Sequence, residues 1–198
     1  MKTIKINDKI WSRTKIINNI LRIYDISTEE DRHDWYLEAN RFCYNLGIIY
    51  DLHPNTVAGI TAAMSPIVTW EQNKNMVTDL ITTGDTKGLS LGINKAKTLL
   101  ENRIWNPEKI LEVLNGQKIS AFFMNITGDE QFITIDRHML SICVGRWVTQ
   151  DSFRTITPKQ YDFLAQCVVL AGDKRSVSPI LMQSATWVVW RRIKRDYK

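Results

Sequence analysis

The chain has 198 residues, which is long enough for one large domain or for two small helical lobes around a cleft. Its 44% hydrophobic and 24% charged residues exclude a globally disordered chain, and its net charge of +5 permits a polyanionic partner without requiring one. There are three cysteines without metal-ligand spacing, no apolar leader and no apolar run of membrane length, so we expect a cytoplasmic, non-membrane protein with buried thiols.

Apolar residues recur with a helical period through almost the whole chain, which predicts an all-α protein. In chain order, the predicted helices cover about residues 10–24, 28–46, 55–64, 70–84, 94–102 and 107–114, then one after 116 that includes 126, one from 137 to 147, and two that begin at 158 and 179. The predicted N-caps are Ser27 or Thr28, Asn55, Thr69, Asn106 and Asp136. Only residues 131–135 have an extended pattern, and they are too few to build a sheet.

Basic residues concentrate at both ends of the sequence. Five lie among the first fifteen residues, against the single acid Asp8, and five lie within 191–198, against Asp196. The segment 29–38 is acidic instead. A solvated helix face is the simplest explanation of each run, and a nucleic-acid contact is the functional one.

The segment from Pro107 to Gly145 is the part of the sequence that points to chemistry. A helix is followed by the tight turn 114–117, a helix that opens with Lys118, the extended residues 131–135, and then Asp136 at the start of another helix. Taken alone, Asp136 is explained by helix capping, and a lysine after a turn is usually only solvated. The order and spacing of these features together are what favour a catalytic interpretation.

These residues resemble the core of the helix-hairpin-helix DNA glycosylase superfamily, the endonuclease III and 8-oxoguanine glycosylase group. Ile135-Asp136-Arg137-His138 resembles its "valine-aspartate-x-histidine" motif, and Lys118 precedes Asp136 by eighteen residues, as in endonuclease III. Upstream, 57–65 and 92–97 resemble two of the family's helix segments. The chain also resembles a group of small phage proteins with Met-Ser-Pro, Trp-Glu-x-Asn and Ile-Asp-Arg-His elements. This resemblance suggests that the protein acts in the cytoplasm of a bacterial cell or of a phage-infected host.

Two departures from the superfamily pattern are visible. The hairpin keeps one glycine, Gly116, and Asn115 takes the position of an apolar residue, where its tolerance of positive φ would still allow the turn. The four-cysteine iron–sulfur signature is absent, so we expect no metal and no cofactor.

The resemblance implies a monomeric DNA glycosylase, with AP-lyase activity, that acts on a modified or damaged base in double-stranded DNA. The neutral amine of Lys118, favoured by the positive end of its helix dipole, would attack the sugar, and Asp136 would act as base and stabilise the positive charge. DNA contacts are expected from Asn115, Gly116, Gln117, Lys95, Lys97, Arg191 and Arg192. The flipped base would be held by Trp70, His138, Gln183 and Trp187, although each of these residues is more often structural.

The implied fold has two lobes. One is formed by residues of about 55–150 and contains the hairpin, and the other is formed by 1–54 together with 151–198. Two other functions stay open on the same fold: a base-modifying or base-exchanging enzyme of phage DNA hypermodification, and a non-catalytic DNA-binding or inhibitory protein. Lys118 separates these hypotheses, because relatives that do not cleave the strand lack a lysine at that position.

Overall fold

Ten α-helices and one two-stranded sheet make up the described part of this computed structural model, which is residues 2–6, 9–33, 35–149 and 156–196. The strands are β1 (Thr3–Ile6) and β2 (Lys9–Ser12), and the helices are α1 (Arg13–Tyr24), α2 (Trp35–Ile49), α3 (Pro54–Met64), α4 (Trp70–Thr83), α5 (Ser90–Glu101), α6 (Pro107–Leu114), α7 (Gln117–Ile126), α8 (Arg137–Val144), α9 (Pro158–Asp173) and α10 (Pro179–Asp196). The prediction of a mostly helical protein is confirmed. None of the helices in these residues is long and apolar enough to span a membrane.

Side-chain caps set the start of several helices. Thr69 and Gln72 form the predicted capping box, and Asn106 and Asp136 accept from the backbone as predicted. The second and third caps were predicted wrongly. Thr28 caps a single turn, since its hydroxyl oxygen accepts from the N–H of Asp31 and the Asp31 carboxylate accepts from the N–H of Thr28. Residues 29–33 form only turns, so this cap does not start α2, which begins at Trp35. Helix α3 is capped by His53, with Pro54 in its first turn.

A short β-hairpin precedes α1, and its second strand includes Ile10, where the sequence predicted the start of the first helix. Strands β1 and β2 pair antiparallel, with Ile4 opposite Trp11 and Lys5 opposite Ile10. Ile4 and Trp11 are buried, whereas Ile10, which the helical period placed on an apolar face, is 74% exposed. Four-residue strands are too short for a period of two to be distinguished from the beginning of a helix.

The chain divides into two units by its internal contacts. Residues 36–129 form one, here called the continuous unit, and residues 1–35 together with 130–198 form the other, the discontinuous unit. The predicted lobe boundaries were about 55 and 150, so residues 36–54 and 130–149 each group with the unit opposite to the one expected.

Helices α1, α8, α9 and α10 pack against one another as the core of the discontinuous unit. Each contributes fully buried side chains, among them Ile16 and Ile20 of α1, Ile142 of α8, Leu164 of α9 and Val189 of α10. The hairpin covers this core through contacts of β1 with α9 and of β2 with α1. The C-terminus of α8 meets α1 closely, because the amide of Asn19 donates to the carbonyl of Cys143 at 2.9 Å.

Helix α3 lies at the centre of the continuous unit and contacts α4, α5, α6 and α7. Residues 56–64 of α3 are all buried, which explains why the helix is apolar on every side. Its contact with α5 is especially close at Gly92, where a Cβ would lie 2.7 Å from the carbonyl oxygen of Ala63. A larger residue at position 92 would therefore separate the two helices.

All three cysteines are free and buried, as predicted. Burial raises the pKa of Cys43 to about 12 and that of Cys167 to about 11, and it raises the pKa of Cys143 further. These thiols are therefore neutral components of the core and not nucleophiles.

Candidate functional site

The turn between α6 and α7 has the backbone geometry that the sequence predicted. Asn115 ends α6 in the left-handed region, at φ 38° and ψ 55°, and its N–H donates to the carbonyl of Leu111 at 2.9 Å. Gly116 follows with extended backbone and precedes α7. Asparagine adopts positive φ more readily than most residues, so Asn115 can hold this left-handed position in the turn.

Lys118 is the second residue of α7 and is partly exposed. The N-cap of α7, Gly116, has no side chain to bind the first amides of the helix. A helix start of this kind offers backbone N–H groups and a positive dipole to an anion such as a phosphate. Phe122 and Phe123 of the same helix are buried, as expected.

Two lysines expected to contact DNA already have partners within the continuous unit. The ammonium of Lys95 donates to the carbonyl of Leu114, so it binds the C-terminal end of α6 immediately before the turn. Lys97 forms an ion pair with the exposed Asp85 at 3.2 Å. The first contact supports the turn itself, because a cation at a helix C-terminus neutralises unpaired carbonyls.

Asp136 uses its two carboxylate oxygens for two different bonds in the discontinuous unit. Oδ1 accepts from the backbone N–H of Met139 at 2.8 Å, which is the predicted cap of α8. Oδ2 accepts from the indole Nε1 of Trp187, on α10, at 3.0 Å. The side chain is only partly buried, and each oxygen has a further lone pair for another donor.

The segment before Asp136 is fixed by one tyrosine that the sequence analysis missed. The hydroxyl of Tyr161, on α9, donates to the carbonyl of Ile133 at 2.8 Å and accepts from the N–H of Ile135 at 3.0 Å. Residues 132–136 form neither helix nor strand, so this side chain supplies the partners that a neighbouring strand would supply. Burial raises the pKa of Tyr161 to about 12, and the hydroxyl therefore stays protonated at neutral pH.

Aromatic and cationic side chains surround Trp187. Its ring centroid lies 5.9 Å from that of Trp35 and 6.1 Å from that of His138, which meets it edge-on. The guanidinium of Arg191, one turn later on α10, lies 4.7 Å from the ring centroid. Together with Asp136, these residues are called the Trp187 cluster below.

The structure brings some predicted site residues together and assigns others to different units. Asp136, His138, Trp187 and Arg191 are neighbours in the Trp187 cluster, and Gln183 lies one turn before Trp187 and is 4% exposed. Lys118 and Trp70 belong to the continuous unit, so the proposed catalytic pair is divided between the two units. Trp35 was missed, because nothing in its sequence environment distinguishes it from a core aromatic residue.

Trp70 and Arg192, which were predicted to bind the base and the DNA, each make contacts that give them a structural role. The indole of Trp70 donates to Glu38 at 3.1 Å and meets the ring of Phe42 edge-on at 5.5 Å. Arg192 binds the buried Asp31 at 2.5 Å. Burial opposes ionisation of Asp31, but bonds from Thr28 and Arg192 outweigh it and hold the pKa of this carboxyl below its ordinary value.

The continuous unit also has an open groove that the sequence analysis did not predict. It has a volume of about 680 Å³ and lies between the end of α2 and the turn before α6. His53 and Trp105 stack beside it with centroids 5.3 Å apart, and Arg103 binds Asp51 across it. Within the described residues, no group of three His, Cys, Asp or Glu side chains is arranged to hold a metal ion.

The fold and the site define a mostly helical protein. One unit has a tight helix–turn–helix segment, and the other has a carboxylate that caps a helix within an aromatic cluster. The chain belongs to DUF7178, a family of unknown function, whose sequence model matches residues 2–194. No curated protein and no solved structure matches the chain.

Proposed function

We propose that this protein is a DNA glycosylase of the helix-hairpin-helix type, without an iron–sulfur cluster, that excises a modified or damaged base from double-stranded DNA and has AP-lyase activity. The observation that carries the proposal is the Asp136 carboxylate. It lies at the start of α8, partly exposed, with one oxygen held by Trp187 and with Trp35, His138 and Arg191 around that indole.

A carboxylate in this setting suits the cleavage of a glycosidic bond. As the base departs, positive charge develops on the sugar, and a fixed carboxylate stabilises that charge without first having to reorient. Aromatic faces beside it are suited to a flipped nucleotide, because every base can stack on them. Asp136 keeps acceptor capacity beyond its two observed bonds, so the cap and the catalytic role are compatible.

Lys118 is assigned the nucleophilic role by its place in the motif. The neutral amine would attack C1′ of the sugar, and the base would leave with the electron pair of the glycosidic bond and one proton from the amine. The C1′–O4′ bond would then open, with the second amine proton passing to O4′, and an imine would join lysine and sugar. The α6–α7 turn, with Asn115 and Gly116, would bind a phosphate through the amides at the start of α7. This supports DNA as the partner at the same helix that presents the lysine.

A second function has an observation in its favour, namely a DNA-binding protein without catalytic activity. Both oxygens of Asp136 are already hydrogen-bonded, and Trp70 and Arg192 have structural partners. Under this interpretation Asp136 serves as a helix cap and as the acceptor for the partly buried indole of Trp187. The base-modifying alternative is supported by the same carboxylate and would not use Lys118.

Borohydride trapping on duplex DNA with an abasic site tests the proposal without knowledge of the damaged base. Borohydride reduces the imine and leaves protein and DNA covalently linked. We expect a trapped complex with the native protein and with Lys97→Ala, and none with Lys118→Ala. Equal trapping by Lys118→Ala would exclude Lys118 from the mechanism. Absence of trapping by the native protein would favour the binding or base-modifying function, and a panel of modified duplexes scored for base release would separate those two.

A further inference from the structure

The β-hairpin made by Thr3–Ile6 and Lys9–Ser12 is a charged surface that neither the motif nor the proposed site uses. Residues 2–6 and 9–15, all of them described, contain five cations and no acidic residue. Lys2, Lys5, Lys9 and Lys15 are exposed, whereas Arg13 is turned toward α9, where it binds Gln166. The one acid nearby in sequence, Asp8, is outside the described residues.

The two faces of the hairpin have different chemistry. Ile4, Ile6 and Trp11 are on the buried face and attach the hairpin to the discontinuous unit. The outer face consists of two cross-strand pairs, Thr3 with Ser12 and Lys5 with Ile10, and all four residues are exposed. The outer face therefore presents two hydroxyl groups, one cation and one aliphatic side chain.

Bonds to neighbouring elements hold this surface in place. The amide of Gln160 donates to the carbonyl of Lys5 at 2.7 Å, and the N–H of Arg13 donates to the carbonyl of Lys2 at 2.9 Å. The ammonium of Lys15 lies 5.5 Å from the ring centroid of Trp11. A surface fixed in this way loses little conformational freedom when it binds a partner.

We propose that the hairpin is a DNA-binding β-ribbon whose outer face enters the major groove of duplex DNA. That groove, roughly 12 Å wide, admits a two-stranded antiparallel ribbon. Lys5 contacts a phosphate from this face, and Lys9, which pairs with Ile6 on the opposite face but is exposed, contacts a second phosphate beside the groove. Thr3 and Ser12 donate hydrogen bonds to the groove, the Ser12 oxygen already accepting from the N–H of Lys15. Ile10 makes an apolar contact of the kind that a thymine methyl group accepts.

The chemistry of the surface favours nucleic acid over an anionic membrane. Ile10 is the single apolar residue on the outer face, and one side chain buries too little area to anchor a protein in a bilayer. The inference shares duplex DNA with the proposed function but does not depend on base excision. It is tested by binding alone, so a failed trapping experiment leaves it standing, and a failed binding experiment at the hairpin leaves Lys118 and Asp136 untouched.

Binding of a short mixed-sequence duplex is measured over a series of salt concentrations for three proteins. They are the native chain, Lys5→Glu with Lys9→Glu, and Lys87→Glu with Lys109→Glu. The third is a control with the same change in net charge at exposed lysines of the continuous unit. We expect the hairpin variant to lose about tenfold or more in affinity, with a salt slope shallower by about 2, because two phosphate contacts are lost. The control should change less than about threefold.

Three results would overturn the proposal: no binding of DNA by the native protein, full binding by the hairpin variant, or an equal loss in the control. An Ile10→Ser variant should bind more weakly with an unchanged salt slope, and an unchanged affinity would remove the groove contact from the proposal. In the last experiment, the binding of the native protein and of the hairpin variant to vesicles of phosphatidylserine and phosphatidylcholine is measured. Binding to vesicles but not to DNA, lost in the hairpin variant, would make the surface a membrane contact instead.

Discussion

The indole N–H of Trp187 donates to Oδ2 of Asp136 at 3.0 Å, across 51 residues of sequence. The other oxygen of the same carboxylate caps α8 through Met139. One oxygen therefore caps the helix and the other binds the aromatic cluster, so a substitution at Trp187 removes the second bond and leaves the first.

Trp187→Phe removes the donor to Oδ2 and keeps an aromatic ring. We expect the rate of base release to fall about tenfold, with little change in the Michaelis constant, because the carboxylate loses its fixed orientation. Trp190→Phe is the matched control, since its Nε1 is buried on the same helix and has no hydrogen-bond partner among the described residues. Single-turnover kinetics of both variants check this, and an equal effect in both would indicate a general packing defect.

Asp136→Asn and Asp136→Ala separate the structural and chemical roles of the carboxylate. Asn has one side-chain oxygen, so it keeps either the bond to Met139 or the bond to Trp187, and we expect a loss of about 1 kcal/mol in unfolding free energy. Ala loses both bonds, and we expect about 2 kcal/mol. Both variants should lose base release. Urea denaturation measures the loss of unfolding free energy, and a base-release assay measures the activity. Full activity of the Asn variant would show that Asp136 is only a helix cap.

Lys95→Met removes the ammonium bound to Leu114 and retains most of the aliphatic chain. The C-terminal carbonyl of α6 then loses its partner, so we expect a loss of about 1 kcal/mol and faster hydrogen exchange at Asn115 and Gly116. Lys97→Met, which removes a cation from the exposed Asp85, should leave stability unchanged. If both variants behave alike, the Lys95 contact does not support the turn.

Arg192→Ala leaves the buried Asp31 without its cation, whereas Arg191→Ala removes a cation that rests on Trp187. We expect Arg192→Ala to cost about 2 kcal/mol at pH 7, less than a fully buried pair would, because the arginine is partly exposed. Arg191→Ala should weaken DNA binding with little loss of stability.

The pH dependence of the Arg192→Ala effect follows from the lowered pKa of Asp31. A carboxyl whose pKa is lowered on folding contributes stability above its ordinary value of 3.8, and that contribution disappears as the pH falls through the folded pKa. The stability difference between native protein and variant should therefore be full near neutrality and shrink below about pH 4. Denaturation at several pH values checks this, and a constant difference would show that the ion pair is not its source.

Local patterns in the sequence predicted most of the helices and part of the site. Asp136 was found because a cap needs only its own helix. Gln183 and Trp187 were assigned together to the base pocket because they lie one helical turn apart, and that spacing is local. The partner of each of those residues was not predictable, since Asp136 meets Trp187 from a distant segment.

Contacts made by elements remote in sequence account for what was missed. Nothing near Tyr161 indicates that its hydroxyl holds residues 133 and 135, because the bonded groups are 28 and 26 residues away. Lys95 was predicted to contact DNA. Its partner, the carbonyl of Leu114, lies 19 residues further along the chain, so the sequence around Lys95 does not reveal the contact. The hairpin was missed because Ile10 and Trp11 are adjacent apolar residues, so β2 lacks the alternation of apolar and polar residues that marks a strand with one buried face.

The division of the chain into a continuous and a discontinuous unit affects how the protein can fold during synthesis. Residues 36–129 are made in one stretch and can fold as soon as they emerge, in keeping with the tendency of domains to fold as units from the N-terminal side. Helix α1 is synthesised earlier but has to wait for α8, α9 and α10, which are the helices it packs against. Until then its apolar face, with Ile16 and Ile20, lacks the helices that bury it in the folded protein.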